Sequence, residues 1–130
     1  MIKFASAVIL LAVPLAPMGG ALAQTAAPIS ITLTNYAFVP SALDLKAGVT
    51  YHMHFINSGS KDHNFSAPEF FAASKIAPED EAKVEKGRVA LDGGQSVDIT
   101  VTPDHPGTFP VECTHFMHKM MGMRGNITVQ

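Results

Sequence analysis

Hydrophobic and polar residues alternate with a period of two along much of the chain after residue 28. Such alternation indicates strands with one buried and one solvated face, as in antiparallel sheets. Seven segments show it, and turns rich in Gly, Pro, Asn and Ser separate them. Their apolar positions are Ile29, Ile31, Leu33; Leu43, Leu45; Val49, Tyr51, Met53, Phe55; Val89, Leu91; Val97, Ile99, Val101; Phe109, Val111, Cys113; and Ile127, Val129. We therefore predict an all-β sandwich of seven to eight strands.

One stretch, Phe70–Lys86, departs from this alternation and is rich in Ala, Lys and Glu. These residues favour helices over strands. We expect a loop with one or two helical turns here, as the one short helical insert of the domain.

Residues 1–23 have the features of a secretory signal peptide. Lys3 precedes an apolar run, and Ala21-Leu22-Ala23 is an A-x-A cleavage site. A transmembrane anchor is the alternative, but the run is shorter than the roughly 20 residues that span a bilayer. We expect removal of residues 1–23, which leaves a domain of residues 24–130 in the periplasm with no membrane span.

Composition narrows the classes of function. A chain with 47% hydrophobic and 15% charged residues is not of the disordered type. The formal net charge of -2, without a basic cluster, argues against nucleic-acid binding. Cys113 is the single cysteine, which excludes an intramolecular disulfide, an Fe–S cluster, a CxxCH haem site and a dinuclear copper centre with two thiolates. The common nucleotide-binding, hydrolase and metalloprotease motifs are absent.

The segment from Cys113 to Met123 concentrates soft metal ligands. Its eleven residues carry one thiol, two imidazoles and four thioethers. Such ligands favour copper over calcium or magnesium. A trigonal copper site with a weak axial ligand needs two His, one Cys and one Met. The spacing Cys113-x4-His118-x4-Met123 supplies three of them, and His63 is the candidate for the fourth.

Several segments resemble the cupredoxins, the plastocyanin- and azurin-like type 1 blue copper proteins. Phe38–Thr50 is similar to the opening strands of the family and their Ala-Gly turn, and Gly87–Thr102 to the strands that lead to the cysteine. His63-Asn64-Phe65 looks like the first ligand motif, and Gly122–Val129 like the axial methionine and the last strand. The resemblance covers nearly all of residues 24–130 and implies a cupredoxin-like Greek-key sandwich.

The resemblance also implies the roles of individual residues. His63, Cys113 and His118 would be the equatorial ligands of one copper ion, and Met123 the axial ligand. Asn64 resembles the family residue whose side chain ties the first ligand loop to the cysteine strand.

By this resemblance the chain is expected to be a monomeric, periplasmic one-electron carrier whose copper cycles between Cu(I) and Cu(II). A redox partner protein would dock near His118. The alternative is a periplasmic carrier or buffer of Cu(I) in copper tolerance or delivery, and its partner would be a copper acceptor. We expect no enzymatic activity, because the oxidases and nitrite reductases that contain this fold use further copper ligands and domains.

Each ligand has a competing interpretation. For Cys113 it is a small buried apolar side chain, and for Met123 it is core packing with another axial group. For His63 the competing interpretation is a loop histidine that binds no metal. His115 competes with His118 as the second imidazole ligand, because a loop need not keep the alternation of a strand.

Five further residues leave two readings open. Met117, Met120 and Met121 are either an apolar docking rim around His118 or a thioether landing site for Cu(I). His52 and His54 lie two apart on the polar face of a strand, with side chains roughly 6–7 Å apart. They are either two solvated histidines or ligands of a second metal ion.

Overall fold

The computed structural model describes residues 12–15 and 25–130. In these ranges the chain forms ten strands, one short α-helix and one 3₁₀ helix. The strands are β1 (Ala27–Thr34), β2 (Ala37–Val39), β3 (Ala42–Leu45), β4 (Tyr51–Asn57), β5 (His63–Ser66), β6 (Ser74–Ile76), β7 (Arg88–Leu91), β8 (Ser96–Pro103), β9 (Gly107–Glu112) and β10 (Arg124–Val129). No helix within the described ranges is long and apolar enough to cross a membrane. Apart from 12–15, the predicted signal peptide of residues 1–23 lies outside the described residues and stays a prediction.

The strands form two five-stranded sheets. The first has the order β2-β1-β4-β8-β6, and the second has the order β3-β10-β9-β5-β7. Two pairs are parallel, β1 with β4 and β3 with β10, and the other pairs are antiparallel. The predicted all-β sandwich is confirmed.

Three of the ten strands are absent from the alternation in the sequence. β2 and β6 have three residues each, which is too short for a period of two to be seen. All four residues of β5 are buried, so apolar and polar residues do not mark its two faces. Phe65 points into the core, whereas Asn64 on the opposite face lies under the loop that follows β9.

The helical insert is close to its predicted place. Helix α1 (Pro68–Ala72) precedes β6, and the 3₁₀ helix (Pro78–Lys83) follows it. Each begins with a proline, whose fixed φ suits the first turn of a helix. Phe70 and Phe71 of α1 are buried, and the Phe70 ring lies 5.9 Å from that of Phe109 on β9. This contact packs the insert against the second sheet.

One hydrophobic core lies between the sheets. The Phe55 ring on β4 lies 4.9 Å from the Phe65 ring on β5, so the two strands meet across it. The largest fully buried side chains include Phe55, Phe65, Phe70, Ile31, Leu33 and Met53. Removal of a ring such as Phe65 would leave a cavity and cost about 3–5 kcal/mol.

The second sheet brings three chain segments to one end of the molecule. Glu112 at the end of β9 pairs with Arg124 at the start of β10 and with Ser66 of β5. The antiparallel β5 therefore extends beyond the end of β9, and His63 lies beside the residues that follow Glu112. The predicted ligands meet at this end, although their segments are far apart in the sequence.

Candidate metal centre

His63, Cys113 and His118 converge at this end of the sandwich. The Nδ1 atoms of His63 and His118 are 3.1 Å apart. The Cys113 Sγ lies 3.5 Å from Nδ1 of His118 and 4.0 Å from Nδ1 of His63. The candidate ligand atoms of these three residues all lie within 4.8 Å of one another, which is close enough to hold one metal ion.

These distances fit the spacing of three ligands that would hold one metal ion. First-row metals bind imidazole nitrogen at about 2.0–2.1 Å and thiolate sulfur at about 2.3 Å, which separates neighbouring ligands in a trigonal plane by about 3.5–4 Å. The observed separations of 3.1 to 4.0 Å are close to this range. Two imidazoles with one thiol are the equatorial set of a trigonal copper site.

Met123, the fourth predicted ligand, directly precedes β10. Its side chain is fully buried, although neighbouring loop residues are exposed. The backbone N–H of Cys113 donates to the carbonyl of Met123 at 3.1 Å, and the N–H of Met123 donates to the carbonyl of His118 at 3.1 Å. The three residues of the C-terminal segment are therefore tied to one another through the backbone, and Met123 is positioned to offer a thioether.

The two imidazoles are held in the neutral form that a metal requires. Burial is the main cause that lowers the pKa of His63 below its ordinary value, and His118 and His115 add to it. Burial also lowers the pKa of His118, with His115 and Lys61 as further causes. A neutral imidazole keeps a lone pair on one nitrogen. At neutral pH both rings can therefore act as ligands.

Asn35 determines which nitrogen of His63 faces the thiol. Its side-chain Oδ1 accepts a hydrogen bond from His63 Nε2 at 3.0 Å, on the side of the ring away from Cys113. The proton is thereby placed on Nε2, and the Nδ1 lone pair points into the centre. Asn35 is not among the residues predicted from the sequence. Asn at this position signals only the turn between β1 and β2, and nothing local relates it to a histidine 28 residues away.

Gly59 makes room for this contact. A Cβ at position 59 would collide with Oδ1 of Asn35, so a larger residue would displace the Asn35 amide. The loop that carries Gly59 is anchored by the buried Asn57, whose Nδ2 donates to the carbonyls of Lys61 and Leu91 at 2.8 and 3.1 Å. His63 is thus positioned by the turn after β1 and by the loop that precedes β5.

Tyr36 packs against both candidate imidazole ligands and was also missed. Its ring centroid lies 5.0 Å from that of His118 and 6.2 Å from that of His63, with edge-on geometry in both cases. Its φ of 132° is rare for a residue with a side chain. The tyrosine ring contacts both imidazoles from one side.

Asn64 ties the two ligand-bearing segments together, as the resemblance implied. Its Nδ2 donates to Oγ1 of Thr114 at 2.8 Å, and its Oδ1 accepts from the backbone N–H of Thr114 at 3.0 Å. Asn64 and Thr114 directly follow His63 and Cys113 in the chain. This pair of hydrogen bonds therefore sets the separation of the imidazole and the thiol.

The structure selects His118 over His115 as the second imidazole of the group. His118 is half-buried with Nδ1 toward the thiol, whereas His115 is exposed and outside the cluster. The backbone N–H of His118 donates to the carbonyl of His115. The chain therefore turns between the two residues, and their side chains point in different directions. The His115 ring still lies 5.6 Å from that of His118, close enough to affect its charge.

The three other methionines of the segment Cys113–Met123 form an exposed rim beside His118. The exposed fraction is 49% for Met117, 79% for Met120 and 53% for Met121, and that of the adjacent Phe116 is 89%. We call these four residues the apolar rim. Its exposure is incompatible with core packing. His52 and His54 lie elsewhere, on β4 of the first sheet.

The fold and the site together define a mononuclear copper-binding β-sandwich. The family model for the cupredoxin-like domain matches residues 5–129, and the chain belongs to this family. Cupredoxins bind one copper ion, and His63, Cys113, His118 and Met123 are positioned to hold it. No curated protein matches the chain significantly in sequence.

Solved structures share the fold at low sequence identity. A reduced auracyanin from Roseiflexus castenholzii is 24% identical with a TM-score of 0.60, over 82% of this chain and 99% of its own. Auracyanin A, a "blue" copper protein from Chloroflexus aurantiacus, is 21% identical with a TM-score of 0.55, over 79% of this chain and 99% of its own. A multicopper oxidase from Campylobacter jejuni is 15% identical with a TM-score of 0.59, over 85% of this chain and 31% of its own.

Proposed function

We propose that this protein is a periplasmic one-electron carrier with one type 1 copper ion, bound by His63, Cys113, His118 and Met123. The observation that carries the proposal is the approach of two neutral imidazoles and a buried thiol to within 3.1 to 4.0 Å of one another. Bound copper supplies the Cu(II)/Cu(I) couple at this position. The signal-peptide features of residues 1–23 support the location.

The protein's contribution is to keep the ligands in place during a change of charge. Asn35 holds His63 from behind, and Asn64 holds the start of the cysteine loop. Backbone hydrogen bonds join Cys113 to Met123 and Met123 to His118. Ligands restrained in this way move little when the site gains or loses an electron, so little energy is spent on rearrangement.

The half-buried His118 offers the route by which an electron reaches the surface. His63, Cys113 and Met123 are buried, with at most 1% of each exposed. His118 is thus the most accessible of the four side chains, and the apolar rim lies beside it. A redox partner with an apolar contact surface would dock on the rim and bring its own centre close to the imidazole edge. A monomer suffices for this role.

A second candidate function is carriage of Cu(I) to an acceptor. The exposed thioethers of Met117, Met120 and Met121 favour it, because thioethers are soft ligands that bind Cu(I). In this alternative, Cu(I) binds first at the rim and then moves to the buried site, and it leaves for an acceptor by the same route. The two functions differ in whether the copper ion stays in the protein.

The decisive experiment records visible and EPR spectra during titration with Cu(II). An electron carrier shows an intense thiolate-to-copper band that saturates at one equivalent, bleaches with reductant and returns with oxidant. Copper content is then measured after repeated redox cycles in the presence of a Cu(I) chelator. Retained copper supports electron transfer, whereas loss to the chelator with each reduction supports carriage. Absence of the band contradicts the type 1 site, and Cys113→Ser is the colourless control.

A further inference from the structure

A second group of metal-ligating side chains lies on the outer face of the first sheet. His54 on β4 pairs directly with Asp98 on β8, and His52 lies two residues earlier on the same face of β4. Residues two apart on a strand project from the same side. Two imidazoles and one carboxylate therefore meet on adjacent strands, on a different sheet from His63 and Cys113.

Both imidazoles contact the same carboxylate oxygen of Asp98. Oδ1 of Asp98 lies 2.7 Å from Nδ1 of His54 and 3.1 Å from Nε2 of His52. The exposed fractions of the side chains are 47% for His52, 39% for His54 and 49% for Asp98. They are therefore open to ions from solvent and free to rotate so that both nitrogens face the same ion.

We propose that His52, His54 and Asp98 bind a divalent transition-metal ion, with Zn(II) as the representative, at a site separate from the copper centre. Imidazole nitrogen and carboxylate oxygen are common zinc ligands, and three of them leave a fourth position for water. The observed nitrogen-to-oxygen distances are close to the about 3.3 Å between neighbouring ligands of a tetrahedral ion bound at about 2.0 Å.

The surrounding charges permit a cation. Asp98 is ionised at neutral pH, because its hydrogen bond from His54 lowers its pKa against the opposing effect of burial, and His52 adds to the lowering. Lys83 is a positive group beside Asp98, and its Nζ donates to the backbone carbonyl of Asp98 at 3.0 Å and to Oδ1 of Asp80 at 2.7 Å. Asp80 offsets the positive charge of Lys83. Asp98 therefore keeps a negative charge that can attract a metal ion.

Solvent reaches Asp98 from one side. Asp98 lines an open groove of about 540 Å³, together with Lys83, Glu85 and Arg88. Binding needs only a shift of each imidazole proton from the nitrogen that faces Asp98 to the other ring nitrogen, so neutral histidines release no net proton.

The test is a calorimetric titration of the copper-loaded protein with Zn(II) alone, followed by NMR of the histidine ring protons. We expect one saturable equivalent of Zn(II) and changes in the His52 and His54 resonances. His54→Thr, which keeps a good strand former at an exposed position, should weaken binding on the order of tenfold or more. Asp98→Asn should weaken it as well. His105→Ala, which removes an exposed histidine in another loop, should change nothing.

Two results would overturn the proposal. One is the absence of saturable Zn(II) binding by the copper-loaded protein. The other is binding that survives both His54→Thr and Asp98→Asn, or that perturbs only His105 or His115. Repetition with Cys113→Ala keeps this test independent of the copper centre. That variant should still bind Zn(II) at His52 and His54 even if the proposed electron-transfer function proves wrong.

Discussion

Asn35 and His63 form a hydrogen bond of 3.0 Å that orients the first imidazole of the copper centre. The amide oxygen accepts from Nε2, and the opposite nitrogen of the ring faces the thiol of Cys113. The two residues come from different sheets, Asn35 from the turn after β1 and His63 from β5. The geometry of the centre thus depends on how the sheets pack.

We predict that Asn35→Ala weakens copper binding. Without its acceptor, the buried His63 Nε2–H loses its partner, and the ring is less restrained in tautomer and direction. Loss of such a partner lowers metal affinity by roughly 10- to 100-fold. Competition against a chelator of known affinity measures the effect. Ser60→Ala is the matched control, because it removes only the exposed bond from Asn35 Nδ2 to Ser60 Oγ. Equal affinities for Asn35→Ala and the parent would contradict the role of Asn35.

The two bonds between Asn64 and Thr114 should contribute unequally to stability. Asn64→Ala removes both and leaves the Thr114 N–H without its partner, at a cost of about 1–3 kcal/mol. Thr114→Val removes only the side-chain bond and should cost about 0.5–1.5 kcal/mol. Urea unfolding of the copper-free variants measures both values. Equal losses for the two variants would show that the bond to the Thr114 backbone contributes little.

Asp80 should make the fold sensitive to acid. Burial acts to raise its pKa, but hydrogen bonds from Lys83 Nζ and from the Thr100 backbone N–H prevail and lower the pKa below its ordinary value. Because the folded state then holds the ionised form more strongly than the unfolded state, its stabilising contribution is complete above the ordinary pKa of 3.8. The contribution is lost as the pH falls from there through the lower folded value.

The change that tests this behaviour is Asp80→Asn. At neutral pH the variant should be less stable by about 1–3 kcal/mol, since it loses charged hydrogen bonds to Lys83 and Thr100. Below pH 3.8 the difference from the parent should shrink. Urea midpoints across this range give the comparison, with the exposed Asp44→Asn as control. A difference independent of pH would contradict the assignment.

His118 and His115 can be separated by their variants. His118→Ala removes the imidazole that lies 3.5 Å from the thiol and should abolish the thiolate-to-copper band or shift it strongly. His115→Ala should leave the band intact, because its ring is exposed and outside the ligand group. Visible spectra of the two copper-loaded variants decide the matter. Loss of the band in His115→Ala but not in His118→Ala would show that His115 is the ligand.

Local pattern was sufficient for much of the fold and for three of the four proposed ligands. Alternation marks seven strands, because in a strand with one solvent-exposed face every second side chain is buried. Cys113, His118 and Met123 lie within eleven residues, so their spacing alone identifies a soft metal-binding segment. β5 gave no such signal, because both of its faces are covered.

By itself, then, the sequence determined a β-sandwich with a copper-type donor set in its C-terminal loop. Only the tertiary structure decided the contacts between distant segments: Asn35 behind His63, Tyr36 over both imidazoles, and His52 and His54 around Asp98. It also placed His118 rather than His115 beside the thiol. The physical reason is that residue spacing governs contacts within one strand or turn, whereas contacts between strands depend on their pairing and on the packing of the sheets.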